Sequence, residues 1–210
     1  LLSREQVSIT PVGSVDPSRR LARVDWTPSQ DSRVASGKYG ARLWRATLNR
    51  GALGAAAQLA GLAQGMIDAA VAYSRDREQF GRPIGSFQAV KHLMADCATR
   101  LEFARPPLYR SAYTVAVAPE RADYAISHAK VATGEAALLA ARNAMQVHGA
   151  MGYTWECDLQ IWMKHAWALD KAWGDAGFHK NRVHQWLRRE GALTGPEHSF
   201  GRQVLELADA

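Results

Sequence analysis

Arg77, Phe80 and Gln88 stand within the stretch Arg77-Glu78-Gln79-Phe80-Gly81-Arg82-Pro83-Ile84-Gly85-Ser86-Phe87-Gln88. A guanidinium offers a planar fork of donors for phosphate, a phenyl ring gives a stacking plane, and a carboxamide both donates and accepts. Held around one tight corner, these three groups could grip a phosphorylated aromatic ligand. The plainer reading of the same residues is a helix–helix corner with Arg77 in solvent and Phe80 in the core. Either reading needs a corner, because Gly81, Pro83 and Gly85 cannot share one regular helix. The pattern predicts a helix ending near Phe80 and another opening near Ser86, a residue suited to an N-cap.

The elements on either side must position that corner. From about Tyr39 to Arg77 the chain is alanine-rich, free of proline and helical in pattern. Gly51, Gly54, Gly61 and Gly65 share one face of this helix, and such a row predicts the close approach of another backbone. A second helix is predicted from Phe87 to about Ala118, with Val90, Met94, Cys97, Leu101, Ala104 and Leu108 at helical spacing and Pro106-Pro107 bending it. A third opens at Pro119-Glu120 and runs to about Val147, turning Ala125, Ala129, Ala132, Ala136, Leu139 and Ala140 inward. A fourth segment extends from about Asp158 to Arg188, with an interruption near Gly174. Four long helices joined by short loops imply a mainly α protein, a four-helix up-down bundle. Ahead of it, Val7–Thr10 and Leu21–Trp26 alternate as strands around a turn at Gly13, Asp16 and Pro17. The expected division is residues 1–35 as a β segment and linker, 36–190 as the bundle, and 191–210 as a tail. Two strands make a marginal structure alone, and the chain opens without Met inside a strand-like run, so a preceding portion is expected.

Composition narrows the function classes. Of 210 residues, 47% are hydrophobic and 22% charged, which favours neither disorder nor a fibre. No apolar run has membrane-spanning length and no signal-peptide architecture opens the chain, so a cytoplasmic protein with no membrane span is expected. The net charge of +6 raises nucleic acid as a partner. The basic residues are dispersed among acids, however, and no helix carries a basic stripe, so no nucleic-acid binding is expected. Cys97 and Cys157 form no CxxC pair, and no histidines have the i, i+4 spacing of a helical metal site, so no metal is expected. The tryptophans in and near the fourth segment (Trp155, Trp162, Trp167, Trp173, Trp186) suit core or subunit contact better than ligand stacking.

Two motifs, in order, then carry a resemblance. The Arg77–Gln88 stretch with Tyr73 before it resembles the first signature of the C-terminal domain of acyl-CoA dehydrogenases. The later run Gln146-Val147-His148-Gly149-Ala150-Met151-Gly152-Tyr153-Thr154-Trp155-Glu156 is similar to that family's second signature. The likeness runs from about Val7 to about Arg189, and makes residues 1–35 the end of a middle β domain. It implies an FAD enzyme that removes hydrogens from the α and β carbons of an acyl-CoA thioester and is reoxidised by an electron-transferring flavoprotein. Within it, Arg77 is implied as the partner of the FAD pyrophosphate, Phe80 and Gln88 as contacts of the adenosine half, and Gln146 and Gly149 as second-signature contacts, reaching the cofactor of a neighbouring subunit. Ala150 departs from the family's usual second glycine.

The family's catalytic base is missing from both places where it is expected. One is the Glu of a Tyr-Glu-Gly-Thr run, where this chain has Ala172-Trp173-Gly174-Asp175; the other, in the first helix, falls at or near Gly51. No catalytic residue is therefore assigned, with a shift of register onto Asp175 as the weakest rescue and Glu135 and Glu156 as structural. The pattern is similar to the base-lacking subunit of α2β2 bacterial members, especially those acting on steroid side-chain CoA esters, in which a homologous subunit carries the Glu. Two other expectations stand beside it: a self-sufficient homotetramer with an atypical base, and a flavin-free helical-bundle interaction protein.

Overall fold

A computed structural model describes residues 2–189 and Ala192; of the expected tail at 191–210, all but Ala192 lies outside the described residues. The bundle is built on three long helices: α1 (Gly37–Asp76), α2 (Gln88–Val117) and α3 (Ala122–His148). Two shorter ones follow, α4 (Leu159–Lys171) and α5 (Ala176–Leu187), separated by a corner at Ala172–Asp175. The predicted fourth segment is thus two helices, and the break falls near Gly174 as expected.

Alanine decides how the core is made. Ala55, Ala56, Ala60, Ala63 and Ala70 on α1 are buried in one cluster with Ala129, Ala136, Ala137, Ala140, Ala141 and Ala144 on α3, with Leu59, Met66, Leu101 and Met163 filling between them. Small side chains let helix axes come close, and each buried alanine loses no rotamer freedom on folding. α2 carries Pro106 and Pro107 without interruption. Leu101, Ala104 and Leu108 on either side of that pair remain buried.

The row of glycines on α1 does not do what its spacing predicts. A Cβ at Gly54 or Gly61 would meet nothing within 4 Å, and at Gly65 only the edge of Trp162 at 3.9 Å. Among the described residues no second backbone lies within 4 Å of where a Cβ would stand at Gly54, Gly61 or Gly65. Gly51 alone is crowded, and by a side chain: a Cβ there would overlap Cδ2, Cε2 and Cε3 of Trp173.

The N-terminal strands β1 (Val7–Pro11) and β2 (Ala22–Trp26) pair antiparallel, Val7 opposite Trp26 and Pro11 opposite Ala22. Nearly every residue of both is exposed, so the hairpin has no buried face of its own. Its connecting turn is tied to α4. Asp16, 1% exposed, accepts from Ser18 N and Oγ and meets His165 Nδ1 at 2.5 Å, while Arg19 donates to the Ala168 carbonyl at 3.0 Å. Those hydrogen bonds hold the Asp16 carboxyl below its usual range despite the opposing effect of burial.

Candidate functional site

The first motif forms a tighter object than a plain corner. α1 ends at Asp76, earlier than Phe80, with Arg77 N donating to Tyr73 O at 2.9 Å. Two short strands, β3 (Glu78–Gln79) and β4 (Arg82–Pro83), then pair antiparallel. Between them Phe80 and Gly81 both have positive φ, +56° and +75°, the requirement of a two-residue hairpin turn that matches strand twist. Ile84 N closes the hairpin onto Arg77 O at 2.8 Å. Ser86 does not cap α2. Its hydroxyl donates to Pro83 O at 2.7 Å, and Phe87 is the residue ahead of the helix.

This hairpin leaves its chemistry outside. Phe80 is 92% exposed, with only an edge-on contact to Phe87 at 6.1 Å, so it is not a core residue. Arg82 lies over the Phe87 ring at 4.2 Å. Arg77 and Gln88 are exposed, and neither side chain has an ion pair or hydrogen bond among the described residues. A left-handed non-glycine residue costs on the order of 1 kcal/mol, and here it displays an aromatic face to solvent.

The second motif ends α3. Gln146 and Gly149 are exposed, and Gly149 has φ +60° with open space where a Cβ would be. His148 is 8% exposed; its Nδ1–H donates to Ala144 O at 2.7 Å and its ring stacks on Tyr73 at 4.4 Å. Through that stack the end of α3 is joined to the last turn of α1, just ahead of Arg77. The structure therefore brings the two motifs onto one end of the bundle, with His148 orienting the loop.

The positions where a base is expected tell a different story. Gly51 and Trp173 are in contact, so both places are one place in space, and an indole fills it. Trp173 has φ +60° and Gly174 φ +103°. A Cβ on Gly174 would collide with Phe178 and His179, so glycine is required. Asp175 is engaged as the N-cap of α5, its Oδ1 accepting from Phe178 N at 2.8 Å, and that bond lowers its pKa. A carboxylate held in this way is a poor proton acceptor. Glu135 sits between Arg100 and Lys180, which lower its pKa, in keeping with a structural role.

Beneath this corner lies a buried polar group that the sequence reading did not single out. Lys130, 2% exposed, donates to Asp170 O at 2.8 Å and Gly174 O at 3.4 Å. His179, fully buried, bridges Ser127 Oγ at 3.0 Å and Trp173 O at 3.1 Å. The Trp173 carbonyl can only accept, so Nε2 carries the proton and Nδ1 accepts from the serine hydroxyl. Burial, with the nearby Lys130 charge, pushes the His179 pKa down to about 4. Burial also pushes Lys130 down. The signal was present on α3, where Ile126, Lys130, Thr133 and Ala137 lie on one buried face.

Comparison with known proteins joins these features. The model of the acyl-CoA dehydrogenase C-terminal domain matches residues 38–188. The chain belongs to the acyl-CoA dehydrogenase family. It is 34% identical over 209 residues to acyl-CoA dehydrogenase FadE34 of Mycobacterium tuberculosis, a match covering 97% of this chain and 27% of that protein. It is 36% identical over 152 residues to 3-sulfinopropanoyl-CoA desulfinase of Paraburkholderia xenovorans, covering 72% of this chain and 37% of the relative. Among solved structures, the ChsE4-ChsE5 complex of Mycobacterium tuberculosis superposes with a TM-score of 0.77 at 25% identity, over 89% of this chain and 50% of the solved one. The chain thus spans well under half of these curated relatives and half of that solved chain.

Proposed function

We propose that this chain is a subunit of a heteromeric FAD-dependent acyl-CoA dehydrogenase, one that completes a neighbouring subunit's cofactor site and carries no base of its own. The carrying observation is the Trp173 indole lying on Gly51, which occupies both positions where the family's glutamate is expected. The relative solved as a ChsE4-ChsE5 complex supports an assembly of two different family members. In this reading residues 1–35 are the end of a middle β domain, and a homologous subunit in an α2β2 assembly supplies the glutamate.

The residues present fit the cofactor. Arg77 has an exposed guanidinium with no ion pair among the described residues, Phe80 an open ring face, and Gln88 and Gln146 exposed carboxamides. Gly149, with nothing where its Cβ would stand, admits close approach to its backbone. Arg77 would hold the pyrophosphate, Phe80 and Gln88 the adenosine half, and Gln146 and Gly149 the second-motif side. When bound, the flavin supplies hydride acceptance from the β carbon of an acyl-CoA, and an electron-transferring flavoprotein takes the electrons onward. The side chains of this chain bind and orient; proton abstraction belongs to the partner. The substrate class is an acyl-CoA thioester, and the sequence resemblance favours a steroid side-chain CoA ester.

The test is to purify the full chain alone and after co-expression with family members from its own genome, and to record flavin absorption. Flavin should appear only in the heteromeric complex and be lost with Arg77→Ala. Flavin on the lone chain that is bleached by an acyl-CoA would overturn the reading, and a complex with no flavin would leave an interaction protein.

A further inference from the structure

Trp173 is held in place by more than its own packing. α4 ends at Lys171, and the backbone N–H of Ala172 already bonds back to Ala168 O and Leu169 O. A lysine serving only as a helix C-cap would need the next carbonyl, Asp170 O, and Lys130 takes it. The polar groups of α3 go further along the chain. Lys130 also reaches Gly174 O, and Ser127, through His179, reaches Trp173 O. Those last two carbonyls belong to the two left-handed residues of the corner. A tryptophan at positive φ is disfavoured by its own Cβ, and at this corner, unlike at Phe80-Gly81, side chains of neighbouring helices bond the carbonyls of both residues. Among the described residues Lys130 makes no ion pair, and its charge is spent on main-chain carbonyls.

We propose that Ser127, Lys130 and His179 form a latch that pins the Trp173 indole over Gly51, so that this chain's own acyl-thioester position is walled off by an aromatic ring and not merely short of a carboxylate. Trp173 is the occluding residue, and the three latch residues are positioning residues. The inference rests on the base-less subunit reading and deepens it. A carboxylate restored at position 51 alone would have no room, since even one methyl group there overlaps the indole.

The test is a thermal-unfolding cycle on the full chain, with Gly51→Ala as the probe of where the indole sits. In the wild-type background Gly51→Ala should lower the Tm by roughly 5 °C, the scale of an overpacked site in a domain of this size. With Trp173→Ala that loss should vanish. With Lys130→Met or Ser127→Ala the loss should fall to less than about half, because the freed indole can swing aside. If the latch residues merely stabilise the fold, Gly51→Ala will cost as much in those backgrounds as in wild type, and the latch is overturned. Ser127→Ala removes one hydroxyl and keeps the cycle measurable should Lys130→Met fail to fold. As a second readout, 5-fluorotryptophan labelling, with Trp173→Phe for assignment, should show the Trp173 fluorine resonance move in both latch variants; an unmoved resonance counts against the proposal. Failure here leaves the subunit reading standing, because that reading is decided by where flavin is bound and by whether the lone chain's flavin is bleached by an acyl-CoA, neither of which this cycle measures.

Discussion

Two corners of this bundle are built from similar parts and do opposite things with them. At Phe80-Gly81 and again at Trp173-Gly174 an aromatic residue and a glycine, both at positive φ, turn the chain between regular elements. The first corner closes through backbone bonds, with Ser86 and Gln79 bonding carbonyls of its own short strands, and leaves Arg77, Phe80 and Gln88 to solvent. The second draws on Lys130, His179 and Ser127 from below and presses its aromatic ring against α1. The same local turn thus leaves its aromatic ring open to solvent where side chains bond only the flanking strands, and makes a closed wall where they bond the turn's own carbonyls. In the proposed reading, the first corner acts through what is left unbonded.

That contrast sorts the expected effects of mutation. The largest belongs to Lys130→Ala, which empties a buried volume and orphans the Asp170 carbonyl; a loss of about 3 kcal/mol in denaturant unfolding is expected, and a neutral result would mean the closed corner does not depend on its buried polar group. Nearly as large is the pH dependence carried by His179. Its folded pKa of about 4 lies below the ordinary 6.5, so the unfolded chain takes up a proton that the folded chain refuses. The stability this group contributes is complete above about pH 6.5 and is lost as pH falls toward 4. At ~1.4 kcal/mol per pKa unit the full effect is about 3 kcal/mol. Comparing wild type with His179→Gln between pH 7 and pH 4.5 isolates it: the variant should lose less on acidification.

The open corner should answer with the other sign or not at all. Phe80→Gly relieves the left-handed strain of a non-glycine residue and should stabilise the chain by about 1 kcal/mol, while weakening flavin retention in the complex. Destabilisation would show that the Phe80 ring has a packing role the structure does not give it. Smallest of all, Arg77→Ala should change stability by less than about 0.5 kcal/mol, as expected of an exposed side chain without partners among the described residues, even as flavin is lost.

Much of the open corner was legible in the sequence because backbone chemistry declares itself locally. Gly81, Pro83 and Gly85 announce a turn wherever they occur, and α1 and α2 end within a few residues of where they are expected to. The bundle was legible for a similar reason, since alanine and leucine recur at helical spacing along each element. The closed corner was not. The row of glycines on α1 read as a backbone contact because spacing along one helix cannot say what arrives from elsewhere; at Gly51 it is an indole carried in by the α4–α5 corner, and at Gly54 and Gly61 nothing arrives. The Lys130 side chain was hidden by its type, because a lysine in an alanine-rich helix is ordinarily solvated, and only its place in line with Ile126 and Thr133 marked it as buried.

The proline pair inside α2 has a consequence for how the molecule breathes. Proline has no amide hydrogen, so Pro106 and Pro107 deny the carbonyls of Glu102 and Phe103 their helical donors on consecutive residues. Cooperative winding of a helix depends on an unbroken ladder, and here two rungs are missing together. The stretch beyond them, to Val117, is therefore joined to the first part of α2 through a weakened ladder, and is seated in the bundle through Leu108, Ser111 and Thr114. Amide exchange should divide α2 at this point into two independently opening segments, with the far segment opening first.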